Sequence, residues 1–366
     1  MGTSYDGAAA QTMTRIRLIP LHTAPPELRQ AYDKVAELWQ CALKPPMVVQ
    51  IMQCFAHRPE FIEDVARGYY YVGWGGRLPR TVREFVAALV SRENACFYCV
   101  TAHAALLQAA GMGAGYVQQI VEREIRWEAL APGERAITTL VHKSVAAPAH
   151  LEPADLQEIV ALFGISGSLE IVAVLAAFHC LNRMADLVGI SSDLPMIQPQ
   201  WRWLRWFGIR FAGWLLKYVV DLRNQEVEAD TEAVLVETEA VLGPLPAGYQ
   251  ALHHVPNVAG FLLSIARVVR QLNPQMLARV TQGVAHALPS AEAEATGFHP
   301  LPSDPFNALV FVGTRYAVRT TDAMVAALRA TYGYGDPELT DLFYAIAMCN
   351  GLERMHRLLT AVPSGA

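Results

Sequence analysis

Apolar residues recur three and four positions apart through segment after segment of this chain, while the period-two alternation of a half-buried strand is scarce. The pattern predicts an all-α protein. Leu28, Tyr32, Val35 and Leu38 form one side of a helix over 27–40, after the break at Pro25 and Pro26. Helices are expected over 47–55 and 58–71, then a loop built from Gly73, Gly75, Gly76 and Pro79. Phe85, Val86, Leu89 and Val90 mark an amphipathic helix over 82–92. A second is expected from an Asn94 N-cap to about Ala110, with Gly111 as its stop. Further helices are expected over 116–125, 132–145, 153–163 and 169–188, the last two divided at Gly164–Gly167. An acidic surface helix over 221–240 and a turn-rich linker over 243–248 follow. Residues 1–25 read as a flexible arm.

One segment breaks the rhythm. Residues 195–222 hold four of the seven tryptophans, with Arg202, Arg205, Arg210 and Lys217 interrupting an apolar run. Those charges argue against a transmembrane span, since each costs roughly 3 kcal/mol near a bilayer centre. The segment either packs between domains or subunits, with its arginines snorkelling or paired, or lies on a membrane interface. Membrane contact is the less favoured of the two. A wall over an apolar substrate pocket is compatible with the first.

Composition narrows the class. The chain of 366 residues is 53% hydrophobic and only 17% charged, enough for a large core and for contacts in a homo-oligomer. A net charge of −5 without a basic block excludes duplex nucleic acid as the expected partner. The first residues lack the apolar core of a secretory signal. The six cysteines are dispersed apart from one close pair, which fits a reducing cytoplasm and a catalytic dithiol better than a disulfide scaffold.

That pair lies where the reactive side chains concentrate. Glu84, Cys96, Cys99 and His103 follow the spacing E-x11-C-x2-C-x3-H. If Asn94 caps the helix, both cysteines fall in its first turn, where free N–H groups and the helix dipole favour a thiolate. Cys96 and Cys99 are close enough in sequence to meet as a disulfide, and Cys99 shares a helix face with His103. A helical hairpin would return Glu84 beside them. A buried cysteine is ordinarily a small hydrophobe; the joint pattern is what favours a redox dithiol with an acid and a base at hand. The same four residues could hold zinc, but structural zinc sites combine two separated ligand pairs and the second pair is missing. His253, His254, His286 and His299 are irregularly spaced, with no cysteine nearby, so no metal is expected there. His142, His179 and Cys180 sit in apolar helices and read as core.

The constellation, with its surrounding text RENACFYCVTAHAALL, resembles the AhpD-like alkylhydroperoxidase branch of the carboxymuconolactone decarboxylase superfamily. The likeness continues through Leu156–Ile190, including the NRMAD ending, and spans roughly residues 40–190. It implies that Cys99 attacks a peroxide, that Cys96 resolves the sulfenic acid as a disulfide, and that Glu84 and His103 relay protons. It implies no metal or flavin, and an external dithiol as reductant. Tyr98 stands where some members carry a histidine, so a relay role does not transfer to that position. The decarboxylase branch generally lacks the dithiol. A second reading keeps the fold and has Glu84 and His103 act on a larger organic substrate.

The C-terminal third resembles a degraded copy of the first unit. His57, Pro59 and Phe61 are echoed by His254, Pro256 and Val258, and Leu181, Arg183 and Met184 by Leu352, Arg354 and Met355. The second unit is shorter, and the loop-like residues 288–305 stand where the dithiol helices would be. The expected division is an arm over 1–25, a catalytic unit over 26–194, an aromatic and basic segment with linker over 195–248, and a second helical unit over 249–366.

Overall fold

The computed structural model of the chain describes residues 14–39, 49–193, 202–225, 230–245, 247–288 and 301–359. Among them the chain forms helices α1 (Pro26–Leu38), α2 (Gln50–Gln53), α3 (Pro59–Gly73), α4 (Arg80–Glu93) and α5 (Phe97–Ala109). There follow α6 (Ala114–Val121), α7 (Pro132–Ala146), α8 (Gln157–Val188), α9 (Arg202–Val219) and α10 (Thr231–Leu242). The last third holds α11 (Pro256–Val269), α12 (Pro274–Ala287), α13 (Pro305–Arg315), α14 (Asp322–Tyr332) and α15 (Asp336–Leu359). No strand occurs among the described residues; Gly75 and Gln225 form an isolated bridge. The fold is all-α.

Proline sets many of the starts. Pro26, Pro59, Pro132, Pro256, Pro274 and Pro305 each occupy a first-turn position, where a missing N–H costs nothing. Gly164, with φ of 69°, breaks α8 at the expected place. The second part of α8 is the centre of the molecule, buried on all sides from Ser168 to His179. The stretch Ala154–Val188 is long and apolar enough to cross a bilayer, but most of its apolar surface is covered by the protein itself.

Helices from the two ends of the chain pack in pairs around α8. α15 lies along α8, and α11 along α3. Glycines permit the close approach: a Cβ on Gly351 would stand 2.5 Å from the Ala176 carbonyl oxygen, and one on Gly260 would stand 2.7 Å from the Tyr71 ring. The echoed arginines make reciprocal contacts. Arg183 donates to the Thr314 carbonyl at 2.9 Å, and Arg354 donates to the Ser144 carbonyl at 2.8 Å. Each is a buried guanidinium that reaches a carbonyl far along the chain. Most of the shortened loop, 289–300, lies outside the described residues.

Three expectations need correction. Residues 14–25 are not a free arm: Ile16 is buried, and Arg15 donates to the carbonyls of Asp186 (2.7 Å) and Thr320 (2.5 Å), tying both ends of the chain together. The acidic helix begins only at Thr231, capped by the Asp230 side chain; before it, Gln225 donates to Trp74. His142 is not core but largely exposed, with its ring 3.6 Å from Glu93.

Candidate active site

A tight reversal between α4 and α5 positions the site. Asn94 ends α4 rather than capping α5. Ala95 then takes the left-handed conformation (φ 59°) and donates to Arg92, while Cys96 donates to Ser91. These two bonds close the helix end in the Schellman pattern, with alanine where glycine is usual. Cys96 is thereby the N-cap of α5, in extended conformation, and Cys99 lies in its first turn. The sequence signal misled because Asn suits either end of a helix.

The reversal lays α4 along α5 and brings Glu84 to His103, with Nδ1 and Oε2 2.6 Å apart. The other carboxylate oxygen of Glu84 accepts from Arg80 Nη2 at 2.6 Å. Burial opposes ionisation of Glu84, but Arg80 and His103 outweigh it and hold the carboxyl below its usual range. The Phe178 ring stands edge-on to the imidazole, centroids 4.3 Å apart. An oriented imidazole beside an ionised carboxylate is equipped to take and return a proton. Arg80, one helical turn before Glu84, was not singled out from sequence; its i,i+4 spacing is the signal that was there.

Cys96 and Cys99 are buried and both are free thiols. The expected thiolate at the helix start does not hold for Cys96. Burial first, then neighbouring Cys99 and the Asp186 charge, push its thiol well above the ordinary range. Asp186, on the last turn of α8, was also missed as an individual residue. Burial raises its carboxyl to about 7 against the pull of Cys96, Arg183 and Arg15. Tyr98 points elsewhere, donating to Asp193 at 2.6 Å.

Two cavities lie near the reactive helices. One, of about 310 Å³, is lined by Asn94, Ala95 and Asp186 on one side and by Thr314–Arg319 and Arg354 on the other, so the C-terminal third faces the α4–α5 reversal across it. Above it a buried polar cluster surrounds His179, whose Nε2 is 3.0 Å from Ser144 Oγ and whose Nδ1 is 3.1 Å from Arg183 Nη1. Burial, then Arg354 and Arg183, keep that histidine neutral, a satisfied core residue as expected. The second cavity, about 240 Å³ and apolar, runs along the adjoining face of α5 past Tyr98, Ala102 and Leu106, walled by Trp39, Trp74 and Phe211. The described residues include no cluster of three metal-ligating side chains.

Residues 59–142, the stretch holding Glu84, Cys96, Cys99 and His103, match the model of the carboxymuconolactone decarboxylase family. The match thus covers the dithiol helices, the stretch on which the resemblance rested. A solved structure of an uncharacterized peroxidase-related protein from Ralstonia eutropha JMP134, described as having an alkylhydroperoxidase AhpD core, is also similar. It is 25% identical, with a TM-score of 0.41, over 49% of this chain and 92% of that one. A search of curated proteins finds no match.

Proposed function

We propose that the protein is a thiol-dependent peroxidase that reduces organic hydroperoxides through a Cys96–Cys99 dithiol cycle. The observation that carries this reading is the 2.6 Å pair of Glu84 and His103 on the helices that hold the two free thiols. In the first step His103, oriented by Glu84, accepts the Cys99 proton. The thiolate attacks the distal peroxide oxygen, the O–O bond breaks, and the leaving alkoxide takes a proton to depart as alcohol. Cys99 becomes a sulfenic acid. Cys96 then attacks that sulfur, water leaves, and the disulfide closes. An external dithiol reduces it by exchange and restores both thiols. Cys96 suits the resolving role, since burial, then Cys99 and Asp186, raise its thiol and disfavour it as the first thiolate.

Replacing Cys99 with Ser should abolish reduction of cumene hydroperoxide, measured as alcohol formed with dithiothreitol as reductant. Full activity in Cys99→Ser would remove Cys99 from the chemistry.

The apolar cavity beside α5 favours one second reading, a larger organic substrate handled by Glu84 and His103 without redox change. Turnover that survives alkylation of both thiols would favour it.

A further inference from the structure

We propose that α9 is a docking surface for a bilayer bearing anionic lipids. The helix is firmly seated on one side. Trp206, Ile209 and Ala212 are buried against the protein, and Gly213 packs so tightly on α5 that a Cβ there would stand 3.0 Å from the Ala105 carbonyl oxygen. Trp206 Nε1 donates to Glu122 at 2.5 Å. The opposite side is a continuous aromatic stripe. Trp203 (75% exposed), Phe207 (61%), Phe211 (41%), Trp214 (54%) and Tyr218 (69%) follow at spacings of four and three, so they share one helix face. So many large exposed aromatics on one helix are not the scattered apolar residues of an ordinary surface.

Charge decides the occupant. Arg210 and Lys217 are exposed within the stripe, and α9 carries no acidic residue from end to end. The chain as a whole has net charge −5, so this cationic face is a local departure that complements an anionic surface. Aromatic rings at headgroup level, with basic side chains reaching the lipid phosphates, are the composition of an interfacial helix. A second copy fits worse. Self-pairing across a two-fold axis would set two helices with only positive charges against each other, with no acid on either to answer them. The stripe is also continuous with the apolar cavity, because Phe211 belongs to both and Leu215 and Leu216 line the cavity behind it. An alkyl chain leaving the bilayer there would enter the cavity without crossing water.

The test is co-sedimentation of the full chain with phosphatidylcholine vesicles, with and without phosphatidylserine. Binding is expected only with phosphatidylserine and should weaken as salt rises. The exposed-residue variants Trp203→Ser/Trp214→Ser and Arg210→Glu/Lys217→Glu should each lose about tenfold or more in affinity while keeping the wild-type helical circular dichroism. Absence of binding, or equal binding to both vesicles, overturns the proposal. So does a fall in oligomer mass in Trp203→Ser/Trp214→Ser with no vesicle binding by the parent, which would assign the stripe to a second copy.

Discussion

His103 Nδ1 stands 2.6 Å from Oε2 of Glu84, and Arg80 occupies the other carboxylate oxygen of the same buried side chain. The carboxylate has one face for orienting the imidazole and another for balancing its own charge. Replacing Glu84 with Gln keeps the shape and removes the charge. Peroxide reduction should fall by about 10²-fold, the lower range for losing an oriented proton carrier. Stability should fall by roughly 3 kcal/mol, because Arg80 stays buried without its anion. Steady-state kinetics and urea unfolding of the one variant check both.

Asp186 makes a pH prediction whose sign is fixed. Its folded carboxyl titrates at about 7, above the ordinary value of 3.8. Between those values the folded protein holds a proton that the unfolded chain releases, so stability falls as pH rises from about 4 to 7. The loss is at most about 4 kcal/mol, at ~1.4 kcal/mol for each pH unit between the two values. Asp186→Asn should flatten that part of the urea-unfolding profile. An unchanged slope would mean Asp186 is ionised throughout.

Ala95 is the strained link between the two reactive helices. Its φ of 59° is a conformation that costs an alanine about 1 kcal/mol and a β-branched residue more. Ala95→Gly should be neutral or stabilising by up to about 1 kcal/mol, since relief of strain is partly offset by the freer unfolded chain. Ala95→Val should destabilise by about 2 kcal/mol and slow disulfide closure by disturbing Cys96. Thermal unfolding, with thiol oxidation followed in parallel, separates the two effects.

Gly351 tests the packing of the chain's two ends. With Ala176 oxygen 2.5 Å from where its Cβ would be, Gly351→Ala should force α15 away from α8 and cost about 2 kcal/mol or more. Gly73, around whose added Cβ nothing stands within 4 Å, offers a control: Gly73→Ala should be close to neutral.

Helical periodicity carried most of the fold into view. The helices around Phe85 and around Leu28 appear with ends displaced by one or two residues, and the Gly164 break falls where the glycines pointed. The motif also brought Glu84 to His103, because short helical hairpins leave few ways to fold back. The roles of Asp186 and Arg15 were out of reach. Both depend on contacts across ninety positions or more, which no local pattern encodes. Asn94 failed for a different reason: a capping side chain marks a helix end but not which helix it ends. The aromatic segment was legible as unusual, and only coordinates could tell its buried face from its exposed one.

The central claim is that Cys96 and Cys99 are a working redox pair. The most direct measurement is a thiol titration of the reduced protein before and after a stoichiometric dose of organic hydroperoxide, followed by mass-spectrometric mapping. The account predicts that two thiols disappear and that Cys96 and Cys99 are recovered as one disulfide. Both thiols surviving the dose, or oxidation confined to other cysteines, would contradict it.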